Sequence, residues 1–120
     1  MNRARFERLV REALDALPDN LRARLDNVAV VVEDRPSRRQ ARILGEGGDR
    51  VLGLYEGEPL TERDARYSLA FPDRITIFQA NVEAACRTEA EVREEVRKTV
   101  LHEIAHHFGI EDDRLDDLDY

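Results

Sequence analysis

The segment His102-Glu103-Ile104-Ala105-His106-His107-Phe108-Gly109-Ile110-Glu111-Asp112 limits the possible folds more than any other part of the chain. It reads HExxHxxGxxD. The pattern requires a helix through the histidines, a helix end at Gly109 and a reversal that brings Asp112 back towards it. On a helix, residues four apart share a face with Cβ atoms about 5–6 Å apart, so His102 and His106 can offer imidazole nitrogens to one ion. Glu103 borders that face and can reach a water held by the ion, as a general base does. Gly109, lacking a Cβ, suits the left-handed conformation that ends a helix.

Two histidines and a carboxylate, with a fourth position left open, form the ligand set of a catalytic Zn²⁺. The expected metal ligands are therefore His102, His106 and Asp112, with Glu103 catalytic. Glu111 and Asp113 flank Asp112, and either can replace it if the turn is built differently. His107 is rotated about 100° from His106, which points it away from the metal and favours a packed or hydrogen-bonded role.

The rest of the chain is read by its periodicity. Phe6, Leu9, Val10, Ala13, Leu14 and Leu17 form the stripe of an amphipathic helix that Pro18 stops and that covers a sheet. A short helical turn over Asp19 to Leu25, capped by Asp19, follows. Val28-Ala29-Val30-Val31-Val32 predicts a strand buried on both faces. Pro36 and Gly45-Glu46-Gly47-Gly48 bracket a basic segment, Arg38 to Arg42, expected as a solvated loop or short helix. Val51 to Glu56 predicts a second strand, ending at Gly57 and Pro59. Arg74-Ile75-Thr76-Ile77-Phe78 predicts a third, whose alternation suggests one buried and one exposed face lining a cleft.

Thr88-Glu89-Ala90-Glu91 is a capping box that opens the motif helix. Val92, Val96 and Val100 make its first half amphipathic. Val100, Leu101, Ile104, Ala105 and Phe108 make its second half apolar nearly all round, so the helix enters the interior. On that reading His102, Glu103 and His106 are carried into an apolar place, where a metal compensates their burial.

With 120 residues and a formal net charge of -7, the chain suits one domain over residues 1–120 and disfavours nucleic acid or an anionic membrane as partners. Eighteen of its nineteen basic residues are Arg, Lys98 being the exception. The single cysteine, Cys86, rules out an internal disulfide and suits a small buried residue. No apolar signal segment follows Met1, and no run approaches the ~20 residues that span a bilayer, so a cytoplasmic monomer is expected.

Beyond the metal motif, Gly53-Leu54-Tyr55-Glu56-Gly57-Glu58-Pro59-Leu60-Thr61-Glu62-Arg63 and Pro72-Asp73-Arg74-Ile75-Thr76-Ile77-Phe78 resemble the sheet region of the small prokaryotic zincin-like metallopeptidases, or minimal zincins. The resemblance runs from about Leu52 onward. It implies a compact α+β fold in which a small mixed β-sheet packs on the active-site helix and the N-terminal helix. It also implies zinc at His102, His106 and Asp112, with Glu103 as base. The motif is similar to the metzincin pattern with Asp for the third His. That clan carries a methionine turn beneath its metal, whereas the only Met here is Met1.

The function expected is zinc-dependent hydrolysis of a peptide or protein substrate, with Glu103 shuttling the proton of a metal-activated water. Tyr55, Tyr67, Tyr120 and several Arg are candidate second donors to the oxyanion. Arg74 to Phe78 could accept a substrate strand at its edge. The principal alternative is a noncatalytic zinc domain serving structure or protein interaction. Hydrolysis of RNA at a basic patch of Arg35, Arg38, Arg39 and Arg42 runs against the acidic balance. The acidic end, Glu111 to Tyr120, suits a short helical turn through Leu115 and Leu118, or a lid over the site.

Overall fold

Asn2 opens the first helix, α1 (Arg3–Asp15), by accepting a hydrogen bond from the Arg5 amide at 2.8 Å. A computed structural model of the chain describes residues 1–57 and 73–108, with side chains described up to residue 105. The expected stripe is buried at Phe6, Leu9, Val10 and Ala13, and the helix ends before Pro18. Next come α2 (Asp19–Arg22) and a 3-10 turn (Ala23–Leu25). Here the cap differs from the expectation. Pro18 occupies it, because its carbonyl already accepts from the amides of Leu21 and Arg22, and Asp19 becomes the first helical residue, paired with Arg22 at 2.6 Å.

Three strands form the described sheet: β1 (Val28–Glu33), β2 (Gly53–Glu56) and β3 (Asp73–Phe78). Their order is β1-β3-β2, with β1 parallel and β2 antiparallel to β3, so the sheet is mixed as expected. Two burial expectations are corrected by that order. β1 lies at an edge of the described sheet and its residues are only half-buried, with Val28, Val30 and Val32 packing on the core. β3 lies in the centre, and Ile75, Thr76, Ile77 and Phe78 are all fully buried. Thr76 gives β3 its alternating look, yet among the described residues its buried hydroxyl finds no hydrogen-bond partner. Since β3 is paired along both sides, it cannot accept an added strand, which removes Arg74 to Phe78 from that role.

Of the loop or short helix expected for the basic segment, the structure has the helix, α3 (Arg38–Leu44), opened by a capping box in which Ser37 and Gln40 exchange side-chain and backbone bonds. Gln40 is buried and donates to Glu56 of β2 at 2.9 Å. Arg39 and Arg74 reach the same carboxylate, at 2.9 and 3.3 Å. Burial pushes the Glu56 carboxyl up, but the bonds from Arg39, Gln40 and Arg74 outweigh it and hold the group below its ordinary range. The C-terminal end of β2 is thereby pinned to α3.

After β3 come α4 (Gln79–Ala85) and the long α5 (Glu89–Phe108). The predicted capping box is present: Thr88 Oγ1 accepts from the Glu91 amide and Glu91 Oε2 from the Thr88 amide, each at 3.1 Å. Val92, Val96, Val100 and Ile104 of α5 pack with the α1 stripe, Ile75 and Ile77 in one core. Leu101 and Ala105 pack separately on Leu21. These two contacts explain why the second half of α5 is apolar on more than one side. No helix among the described residues is long and apolar enough to cross a membrane.

Candidate functional site

The two apolar faces of α5 leave a third face for Glu95, Lys98, Thr99, His102 and Glu103. It forms one wall of a cleft of about 710 Å³ whose opposite wall is Val51 to Tyr55, with Leu44 at its rim. His102 is exposed and Glu103 half-buried. The expectation that both are carried into an apolar interior is therefore corrected: buried residues flank them on the helix, while they face the cleft.

The position of β2 follows from its pairing. Phe78 donates its amide to the Leu52 carbonyl at 2.9 Å, and the register continues as Gly53↔Ile77, Leu54↔Thr76 and Tyr55↔Ile75. In an antiparallel pair, residues alternate between bonding across the ladder and pointing their polar groups outward. Leu54 therefore bonds towards β3, whereas Gly53 and Tyr55 direct their amides away from it. The outward Tyr55 N–H donates to Glu103 Oε2 at 3.0 Å. A backbone group of β2 thus orients the carboxylate on α5.

This contact needs β2 to lie close against α5, and Gly53 permits it. A Cβ at position 53 would stand 2.6 Å from Thr99 Cγ2 and 3.1 Å from the Thr76 carbonyl oxygen. Asn81 of α4 fixes the approach to the strand by donating to the Val51 carbonyl at 2.7 Å. The Tyr55 hydroxyl, considered above as an oxyanion donor, instead donates to Asp73 Oδ2 at 2.8 Å. Because a phenol carries a single proton, that bond uses its donor. The sequence contains no sign that the Tyr55 backbone, rather than its ring, reaches the site.

The structure brings His102 and Glu103 to one cleft. His106 follows one turn later on α5, but its side chain lies outside the described residues, as do the side chain of His107 and all of Gly109, Glu111, Asp112, Asp113 and the acidic end. Tyr67 and Tyr120 also lie outside them. Among the described residues no three metal-binding side chains gather. Cys86 follows α4, half-buried against the core, and burial first, then the charges of Glu95 and Glu91, push its thiol up, which suits a packing role over a reactive one. Lys98, Thr99 and Gly53 were not singled out by the motif; for Lys98 the signal was its spacing of four residues before His102.

The fold is similar to that of a conserved hypothetical protein from Thermus thermophilus, with a TM-score of 0.59 and 23% identity over 90% of this chain and 94% of that one. At that identity the likeness bears on fold alone. A search of curated proteins returned no match. A family model described as zincin-like metallopeptidase matches residues 25–120, from the turn before β1 through the motif. The chain belongs to the zincin-like metallopeptidase family.

Proposed function

We propose that the chain is a zinc-dependent peptidase in which His102, His106 and Asp112 hold the metal and Glu103 is the general base. The observation that carries the reading is that Glu103 faces the same cleft as His102 with its carboxylate oriented by the Tyr55 amide. The donors suit zinc. His102 is an exposed imidazole at the cleft, the helical spacing gives His106 the same face, and two nitrogens with one carboxylate leave a position open for water. Zinc, when bound, supplies Lewis acidity that makes a water nucleophilic near neutral pH and polarises the carbonyl to be attacked.

The chain's own residues do the rest. Glu103 accepts the proton released as water attacks the peptide carbonyl, and passes it to the leaving amine. The bond from Tyr55 holds its carboxylate in place for both transfers. A substrate lies extended in the cleft between α5 and β2, without pairing to the Tyr55 amide, which is already given to Glu103. The apolar wall from Leu52 and Leu54 excludes water from part of that path. The described elements share one main core, which supports a single domain.

Elemental analysis of purified protein, with His102→Ala, Asp112→Ala and Glu103→Gln alongside, tests the reading. The expected result is about one zinc per chain, lost with His102 or Asp112 and kept with Glu103→Gln, together with cleavage of a peptide library that Glu103→Gln abolishes. Zinc retained by His102→Ala would overturn the ligand assignment. Equal cleavage by Glu103→Gln would remove the general base and leave a noncatalytic zinc domain.

A further inference from the structure

We propose that Lys98 selects substrates carrying a carboxylate about two residues from the bond to be cleaved, an inference that rests on the peptidase reading above. Lys98 and His102 both line the cleft from α5. They are four residues apart, so the helix separates them by about 6 Å along its axis. An extended peptide advances about 3.3–3.6 Å per residue, so a chain lying along α5 spans that separation in two residues.

Among the described residues several exposed cations have no partner, Arg50 beside Val51 among them, but of these Lys98 is the one that lines the cleft. Near the cleft, Arg39 and Arg74 are both drawn to Glu56, and Arg97 is held by Glu94. Among the described residues no hydrogen bond or ion pair engages Lys98, which is exposed. It is also the only Lys or Arg among the described residues of the cleft wall. Its flexible four-carbon stem ends in a compact point charge, suited to a carboxylate whose exact position varies. The facing wall is apolar at Val51, Leu52 and Leu54 and can contribute no competing cation.

Two acids temper the effect. Glu95 lines the same wall three residues before Lys98, and Glu94 precedes it by four. The order along the wall from the catalytic end is thus imidazole, cation, anion. A carboxylate is favoured beside Lys98 and disfavoured one turn farther out, so the preference should depend on position within the peptide. A side-chain carboxylate and a free C-terminal carboxylate present the same chemistry at that distance.

Binding to zinc-loaded Glu103→Gln protein separates these possibilities without requiring turnover. Fluorescent hexapeptides would be compared as four sets: amidated and neutral, amidated with one Asp scanned through each position, neutral with a free C-terminus, and amidated with one Lys scanned likewise. The expected result is about threefold to fivefold tighter binding of the Asp or free-terminus peptides at one favoured placement, the range of an exposed ion pair. Lys98→Ala should remove the gain, and Lys98→Glu should transfer it to the Lys peptides. A gain for amidated Asp peptides identifies a side chain as the ligand, and a gain for free termini alone identifies the C-terminus. The inference is overturned if no Lys98-dependent difference is found. A Lys98-dependent preference in a protein whose wild type cleaves no peptide would instead sink the peptidase reading while leaving the carboxylate site intact.

Discussion

Replacing Gly53 with Ala tests whether the close approach of β2 to α5 holds Glu103 in place. The new Cβ would lie 2.6 Å from Thr99 Cγ2, whereas carbon atoms pack at about 3.5–4.0 Å. The strand must therefore retreat by about 1 Å at this point. Overpacking of this kind typically costs about 1–3 kcal/mol, and reduced freedom of the unfolded chain returns about 0.4–1 kcal/mol. A net loss of about 1–2 kcal/mol corresponds to a fall in Tm of roughly 4–8 °C for a domain of this size. Tyr55 lies two residues along the strand, so the same retreat would stretch its 3.0 Å bond to Glu103 beyond hydrogen-bonding range. If Glu103 acts as proposed, kcat/KM should fall by up to about 100-fold. Zinc content should not change, because His102 sits on α5 and does not move with the strand. The discriminating assay is a double-mutant cycle with Thr99→Ser, which removes Cγ2 but keeps the hydroxyl that donates to the Glu95 carbonyl. Gly53→Ala should be better tolerated in the Thr99→Ser background than in the wild-type background, in both thermal unfolding and kcat/KM. A cycle with no coupling, or a Gly53→Ala protein as stable as wild type, would refute the clash.

The hydroxyl of Thr76 is buried without a partner among the described residues, so Thr76→Val should stabilise the fold by about 1 kcal/mol; thermal unfolding showing a loss instead would mean that the hydroxyl is satisfied. The carboxyl of Glu56 is held below its ordinary range in the folded chain, so its contribution is present above the unfolded value of about 4.3 and is lost as pH falls through the lower folded value. Thermal scans from pH 6 to pH 3 should therefore show a smaller acid-induced fall in Tm for Glu56→Gln than for wild type, and parallel profiles would contradict that link. Thr88→Ala removes the side-chain half of the α5 cap and should cost about 1 kcal/mol in chemical denaturation, with an unchanged midpoint as the contrary result.

What could be read from the sequence was what neighbouring residues decide among themselves. The stripe of α1 and the Thr88-to-Glu91 box of α5 depend on spacings of three and four residues, and both stand where they were expected. That Glu103 borders the face of His102 is also local, since consecutive helical residues lie about 100° apart, but that both open on a cleft was not legible. Ser37 and Gln40 carry an equally local signal, masked by the basic run that follows them. The order of the strands had no such signature. Thr76 reads as the polar side of a half-exposed strand until β1 and β2 are seen to flank β3, and the aliphatic run Val28 to Val32 of β1 reads as interior although β1 lies at an edge of the described sheet. The pairing of β1 with β3 joins residues more than forty positions apart, as in Val30 with Ile75, and alternation alone does not reveal which strand will be central.

The same distinction separates the chemistry of the site from its precision. A helix can display His102 and Glu103 on its own, but nothing within α5 dictates where the Glu103 carboxylate points. That orientation comes from the antiparallel register, which turns the Tyr55 amide outward, and from Gly53, which lets the strand approach closely enough for the amide to reach. Both lie about fifty residues before the motif, on an element held at its far end by Gln40, Arg39 and Arg74 through Glu56. If Glu103 is the general base proposed above, it works only within hydrogen-bond reach of the proton it takes, so a shift of about 1 Å in β2 is enough to impair it. Substitutions along β2 should therefore reduce turnover while leaving metal content intact, whereas His102→Ala should lose both.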